Sequence, residues 1–515
     1  MLEKKYMKLQ NGSDVRGVAL EGIEGEKVNL TPEIAKYIAA AFVEYLSEKE
    51  EKEKNQLTIS VGHDSRLSAD MLKAGVLHGL QMLGCQAMDC GLASTPSMFM
   101  STVLPELCYD GAIMITASHL PFNRNGLKFF SKEGGLESKE IKVILQKAMN
   151  LEMGDVAGTA KFVVESERKE IEKLDLLAHY SANLRKIICQ EVDGKEEEKP
   201  LTGMHFVVDA SNGAGGFFAT RVLEPLGADI SGSIFLEPDG TFPNHVPNPE
   251  NAKAMECIKN ATLEHHADLG IIFDTDVDRA ATVFSSGKEI NKNALIALMA
   301  AIVAQKNPVN TIVTDSVTSD QLHDFLEQKL GLTHHRFKRG YRNVINESVR
   351  LNKEGIESGL AIETSGHGAL KENYFLDDGA YMSVKILCEV VRCKRAGKNI
   401  EDLLAGLEEP AECKEFRMKI CLDEFKEYGV NVLDEFKEFA KQDERFHIVE
   451  PNYEGVRISF DDEEVQGWML IRMSLHDPIM PMNIETNEVG GIEKVLERIR
   501  PFFEKYTSLD SSCLN

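Results

Sequence analysis

The sequence predicts an α/β protein of several domains, on three observations. With 515 residues the chain is too long for one core. Short apolar runs recur, each ending in a glycine-rich or polar loop, with helical patterns between them. LTISVGHDSR, GAIMITASH, MHFVVDASNGAGG, ADLGIIFDTDVDR, NTIVTDSVTS and LAIETSGH are the clearest. Strand, loop and helix in repetition build sheets that present ligand loops at their strand ends. Towards the C-terminus the pattern turns to helices followed by mixed strands around VRISF and GWMLIRMS, which predicts a smaller α+β domain.

Taken in order, GSDVRG at Gly12–Gly17 carries Arg16, and the charged run Ser47–Lys54 ends a surface helix. GHDSR places Arg66 after a strand, and Gly111–Ile115 is a buried strand. Glu167–Ile188 reads as a helix joining the first two domains, and Glu191–Pro200 as a solvated loop before a strand at Met204. The apolar run Ala294–Ala304 falls short of the ~20 residues that span a bilayer and reads as a buried helix.

Hydrophobic content of 43% and charged content of 27% are those of a soluble globular protein. The net charge of -25 argues against a general nucleic-acid or membrane-surface binder, and any phosphate site must be locally basic against this acidic body. The opening MLEKKYMKLQNG lacks the apolar core of a signal peptide. Ten cysteines with no CxxC pair suggest neither a disulfide scaffold nor a zinc site. Cys85, Cys90, Cys388 and Cys393 are expected as reduced thiols, and the cytosol as the compartment.

The chemistry concentrates in loops. Ser118 opens the loop after Gly111–Ile115, where a serine is expected exposed, with His119 beside it and Lys128 further on. Histidine and lysine move protons and balance phosphate charge, although a bland strand-end serine fits the local sequence as well. Asp274, Asp276 and Asp278 alternate after LGIIF and can converge on one hard cation, with Mg²⁺ suited to oxygen ligands. A calcium EF-hand is excluded, because Arg279 stands where that loop needs Gly and Ser285 where it needs Glu. In ETSGH, Glu363 and Ser365 have the groups to bind sugar hydroxyls, but a helix cap explains Thr364 or Ser365 equally well. HHRFKRGYR, His334–Arg342, is the most basic segment and reads either as a solvated turn or as a ligand loop. In IRMSLHDPIMPMNIE, Arg472 can fork onto phosphate and Ser474 can add a hydrogen bond.

TASHLPFNRNGLK resembles the phosphoserine loop of the α-D-phosphohexomutases, T-x-S-H-N-P followed by N-G-x-K. Thr116, Ser118, His119, Pro121, Asn125, Gly126 and Lys128 match it, and Leu120 replaces an Asn. DTDVDR resembles the family's metal loop, ETSGH its sugar loop, and the stretch around Arg472 its phosphate loop, all in the family's order. The resemblance covers nearly the whole chain. It implies three similar α/β domains and a smaller C-terminal domain around one central cleft. The domains are expected at 1–165 (phosphoserine loop), 166–288 (metal), 289–408 (sugar) and 409–515 (phosphate).

It further implies a phosphomannomutase/phosphoglucomutase that interconverts hexose 1- and 6-phosphates, with Mg²⁺ and a hexose 1,6-bisphosphate intermediate that also serves as activator. Ser118, His119, Lys128 and Arg16 would be catalytic. Ser118, Asp274, Asp276 and Asp278 would hold the metal. Arg66, Arg279, Gly340, Arg342, Glu363, Ser365, His367, Arg472, Ser474 and His476 would bind substrate. The expected partner is a small phosphosugar, with the enzyme a monomer or dimer. Leu475, His476 and Asp477 depart from the family's G-T-E, and Pro481 replaces a second Arg, which bears on affinity and specificity more than on reaction type. The alternatives are a phosphoglucosamine mutase, which usually has Gln where Thr364 stands, and a non-catalytic phosphosugar-binding relative.

Overall fold

A computed structural model describes residues 2–422, 424–474 and 477–515. The chain gathers into two units, Met1–Asn291 with Ser365–Glu401, and Lys292–Thr364 with Asp402–Asn515.

The first unit holds two sheets of its own and the antiparallel pair Gly368–Leu370 with Leu376–Asp377. In the larger, Gly111–Ile115, Thr58–His63 and Gln86–Leu92 lie parallel and adjacent. Arg124–Ser131 runs antiparallel to Gly111–Ile115, and Asp14–Val18 antiparallel to Arg124–Ser131. The helices Pro32–Lys49 and Ala69–Met82 contribute Ile38, Phe42, Leu72 and Leu80 to a core with Ile59, Val61, Ile113 and Phe129. Each such side chain, once buried, contributes roughly 1.5–3 kcal/mol. Thr31 starts the first helix by accepting the Ile34 N–H, and Pro32 occupies a first-turn position that needs no donor. Because the central strands are parallel, their C-terminal ends share one edge, which carries Asp64–Arg66, Ser94–Thr95 and Thr116–Ser118.

The second sheet pairs Phe206–Asp209 and Leu269–Phe273 in parallel, with Ala280–Phe284 antiparallel to the latter. The metal-loop sequence leaves the end of Leu269–Phe273, as expected. The joining helix differs from expectation: it begins at Leu176, not Glu167, and runs to Glu191. Glu172–Lys173 instead pair with Met88–Asp89, which holds that segment extended, and Asp175 caps the helix by accepting the Ala178 N–H at 3.1 Å.

The second unit contains Thr311–Thr314 in parallel register with Thr333–Arg336 and with Leu360–Ile362. Lys292–Lys306 forms the buried helix read from its apolar run. The C-terminal sheet is antiparallel through Val456–Asp461, Gln466–Ile471, Ile479–Thr486 and Glu412–Ile420. Helices Phe425–Ala440 and Gly491–Phe503 cover it, with Phe436, Phe502 and Phe503 meeting Met469 and Ile484 in the core. Among the described residues no helix is long and apolar enough to cross a membrane.

Candidate active site

The expectation of an exposed serine is corrected: Ser118 is 4% exposed. Loops from distant parts of the chain close around it, which its own neighbours in sequence do not disclose. Its backbone sits at φ 49°, a left-handed conformation uncommon outside glycine. Polar contacts hold it there. The Ser118 N–H donates to Thr116 Oγ1 at 2.9 Å, and Thr116 Oγ1 donates to Asp64 Oδ2 at 2.7 Å. Arg66 places its guanidinium on the carbonyls of Ser118, Leu120, Pro121 and Arg124. Its side chain is wholly buried beside Asp64. The bonds to these carbonyls tie Arg66, expected above to bind substrate, to the serine loop.

The Ser118 hydroxyl donates to Asp274 Oδ2 at 2.8 Å. Asp274, Asp276 and Asp278 are buried, and the three offer ligand oxygens within 4.8 Å of one another. Thr95 Oγ1 donates to Asp276 Oδ2 at 2.5 Å. The Lys128 ammonium reaches Asp278 Oδ2 and lies 3.2 Å from Asp276 Oδ2. Asp276 Oδ1 and Asp278 Oδ1 are buried and have no hydrogen-bond partner. Burial, then Asp278 and Asp276, push the Asp274 carboxyl well above its usual range. For Asp278, burial acts the same way, but Lys128, His367 and Arg279 outweigh it and hold the carboxyl well below that range. Orphaned, buried carboxylate oxygens in a mutually repelling set are the donor chemistry of a hard divalent cation.

The loop's backbone is strained as well. Val277, β-branched and wholly buried, sits at φ 68°. Its carbonyl accepts the Gly379 N–H at 3.1 Å. Positions of this kind cost about 1–3 kcal/mol and persist where the surroundings over-determine them. Gly213, from the VVDASNGAGG segment, packs so closely that a Cβ there would come within 2.5 Å of the Thr275 carbonyl oxygen. That segment is therefore architecture, as its lack of a nucleotide fingerprint suggests.

Arg279 spans the site. Its Nη2 donates to His119 Nδ1 at 2.8 Å and approaches Ser118 Oγ at 3.4 Å. The guanidinium, together with burial and Arg16, pushes the His119 imidazole down to about 2. Arg16 donates to the Thr116 carbonyl and to Asp14 Oδ2, each at 2.8 Å. Gly126 of the N-G-x-K element faces Arg16 across the sheet, where a Cβ would meet the Val15 carbonyl oxygen at 2.2 Å. His367 donates Nδ1–H to Asp377 Oδ2 at 2.5 Å, and Asp377 Oδ1 accepts the Gly368 N–H at 3.0 Å. Burial lowers the His367 affinity for a proton, but Asp377 and Asp278 outweigh it and hold the pKa above its ordinary value. Sequence reading missed Thr95, Asp64 and Asp377. The acidic pair before Gly379 in YFLDDG was the available signal for Asp377.

The sugar-loop motif is divided, with Ser365 and His367 in the first unit and Glu363 in the second. Glu363 is 3% exposed and accepts the Gly340 N–H at 2.5 Å. Thr364 donates both its N–H and its hydroxyl to Asp315 Oδ2, the hydroxyl at 2.7 Å. The basic stretch is not one loop: it is the strand Thr333–Arg336, a short link, and the helix Tyr341–Lys353, whose cap is Gly340 at φ 114°. Arg342 lies in that helix's first turn. Arg472 is mostly buried, with Nε lacking a hydrogen-bond partner and Glu454 Oε1 at 3.9 Å from Nη1. Ser474 Oγ accepts the Asp477 N–H at 3.2 Å. His476 and Leu475 fall outside the described residues.

Three models of the phosphoglucomutase/phosphomannomutase family match in tandem: α/β/α domain I at residues 7–153, domain II at 178–287 and domain III at 291–410. The chain belongs to the phosphoglucomutase/phosphomannomutase family. As a phosphohexomutase it has three α/β/α domains followed by a C-terminal domain on an antiparallel sheet. It is 31% identical to a phosphoglucomutase/phosphomannomutase of Thermococcus kodakarensis, over 94% of this chain and 95% of that one. It is 27% identical to a phosphomannomutase/phosphoglucomutase of Pseudomonas putida, over 86% of each chain. In fold it is similar to a phosphoglucomutase/phosphomannomutase family protein of Burkholderia thailandensis, with TM-score 0.76 at 23% identity, over 98% of this chain and 99% of that one.

Proposed function

We propose that this phosphohexomutase interconverts hexose 1-phosphate and hexose 6-phosphate, with glucose and mannose phosphates as substrates, through a phosphoserine at Ser118. The observation that carries the reading is the Ser118 hydroxyl set 2.8 Å from Asp274, inside a buried group of three carboxylates, Lys128 and Arg279. Phosphorylated Ser118 donates its phosphoryl group to the free hydroxyl of the bound sugar phosphate. The Oγ–P bond breaks, a sugar O–P bond forms, and the hydroxyl proton leaves to a base. The resulting 1,6-bisphosphate turns over and returns its other phosphate to Ser118, with the proton supplied to the sugar oxygen.

Asp274, Asp276 and Asp278, with an oxygen on Ser118, would hold Mg²⁺. Bound there, Mg²⁺ neutralises charge on a transferring phosphoryl group. Lys128 or His119 carries the hydroxyl proton. Arg279 and Arg16 balance phosphate charge, and Arg66 positions the serine loop. Glu363 and Ser365 bind the sugar hydroxyls, His367 assists at phosphate or in proton transfer, and Gly340 and Arg342 shape specificity. Arg472 and Ser474 hold the phosphate that is not reacting; the unpartnered Arg472 Nε suits an anion.

Hexose phosphates stand ahead of amino-sugar phosphates because Thr364 stands where phosphoglucosamine mutases usually have Gln. The proposal includes the four-domain division at 165, 288 and 408, a monomeric or dimeric state, and the cytoplasm as compartment. The test is a mutase assay with Mg²⁺ and a trace of hexose 1,6-bisphosphate, run on glucose, mannose, glucosamine and N-acetylglucosamine 1-phosphates. Comparable turnover of the first two supports the reading. Preference for an amino sugar moves the enzyme to that substrate. Turnover of none by protein carrying phosphate on Ser118 overturns it.

A further inference from the structure

The first half of the basic stretch, His334–Arg336, takes no part in the function above. These residues line a cavity of about 230 Å³ inside the second unit, together with His323, Tyr453 and Arg457. At about 30 Å³ per water, that space admits a molecule of several heavy atoms.

Two guanidiniums at the cavity wall share a carboxylate, and the Ser319, Ser316 and Thr318 carbonyls take further donors. Arg336 Nη2 and Arg457 Nη2 both donate to one oxygen, Asp320 Oδ1, at 2.8 and 2.9 Å. One carboxylate therefore serves two guanidiniums. Glu485, the next acid, accepts from Trp468 Nε1 at 2.8 Å, and burial pushes its carboxyl upward, away from the charged form. Glu450 at the cavity is engaged by Lys437 at 3.0 Å. Arg457 is 2% exposed, and its Nε has no hydrogen-bond partner.

The histidine rings line the cavity and are hydrogen-bonded to one another and to neighbouring side chains. His323 Nδ1 and His334 Nδ1 lie 3.2 Å apart, while His334 Nε2 meets Thr314 Oγ1 at 2.8 Å and His335 Nε2 meets Glu347 Oε1 at 2.9 Å. Burial, then Arg336, His323 and Arg457, hold His334 well below its ordinary pKa. Phe337 and Tyr453 stack about His335 and give the cavity an apolar wall.

We propose that this cavity is a second ligand site that takes a small polyanion bearing phosphate or carboxylate groups. Arg336 and Arg457 supply the charge, and the His323 and His335 rings line the side wall. Phe337 closes the strand with its N–H on the Thr314 carbonyl at 2.8 Å, and the chain then enters Lys338–Arg342. A ligand here abuts the segment assigned to substrate specificity.

The chain carries its own reporter. Trp468 is the sole tryptophan, and Arg457 Cζ lies 3.8 Å from its ring centroid. The experiment titrates the full-length protein with pyrophosphate and, separately, with citrate, at matched ionic strength, following tryptophan emission. A saturable change with either is expected, weakened about tenfold by Arg336→Gln and measurably by His335→Gln, and retained in Ser118→Ala. Which anion binds tells phosphate from carboxylate recognition. Thermal unfolding checks that each variant is folded, and His335→Gln serves should Arg336→Gln not fold. Absence of a saturable change with both anions overturns the proposal, as does a change that both cavity variants leave intact.

Discussion

Around Ser118, polar side chains from distant parts of the first unit are tied to one another: Ser118 to Asp274, Thr95 to Asp276, Lys128 to Asp278, Arg279 to His119 and His367 to Asp377. In the second unit, Arg472 stands 3.9 Å from Glu454 with an orphaned Nε, and Ser474 lies on a loop whose next residues depart from the family pattern. On the proposed roles, the groups that react with phosphate are tied to one another before substrate arrives, whereas Arg472 keeps a nitrogen without a hydrogen-bond partner.

If the comparison holds, losses should be steepest in the first unit. Ser118→Ala should lower kcat by about 10⁴-fold or more, with intact mass showing no phosphorylated form. Near-normal turnover in a clean preparation breaks the mechanism. Lys128→Met should lower kcat by about 10²–10⁴-fold and remove a limb of the pH–rate profile. If the profile keeps its shape, Lys128 acts through Asp278 and not as proton carrier.

Arg66→Met tests scaffolding against binding. Leaving Asp64 buried without its partner should cost about 3–5 kcal/mol in denaturant unfolding, and kcat should fall more than KM rises. A rise in KM alone would return Arg66 to substrate binding. Arg472→Met should raise KM about 10–100-fold with little change in kcat, the signature of a lost charged hydrogen bond to a non-reacting phosphate.

The smallest effect concerns Asp378, which caps the helix Gly379–Arg395 and accepts the Tyr180 hydroxyl at 2.6 Å. Burial pushes its pKa up to about 6. The folded state thus keeps a proton that the unfolded state releases near 4, and stability falls as pH rises from about 4 to 6, by no more than about 1.4 kcal/mol per pH unit. Asp378→Asn should flatten that segment of the unfolding curve.

Local chemistry was legible in the sequence and long-range assembly was not. Gly111–Ile115 and LGIIF form the strands read from their apolar runs, and the alternation of Asp274, Asp276 and Asp278 does converge. The burial of Ser118, the turning inward of Arg66 and the helix start at Leu176 depend on partners far away in the chain: Asp274, the carbonyls of Leu120 to Arg124, and the strand containing Met88. Thr95 carries no mark of its own, since it acquires its role only when another loop is folded against it, and the acidic pair in YFLDDG marks Asp377 without disclosing its partner His367. His476 lies beyond what is described.

Val277 gives the metal loop a further property. An ordinary flexible turn would have to be ordered by its ligand at each cycle, drawing on binding free energy every time. Here a buried side chain pins the backbone in a shape it would otherwise leave, so the entropy of ordering is met once, when the protein folds, and each later turnover starts from a loop already set.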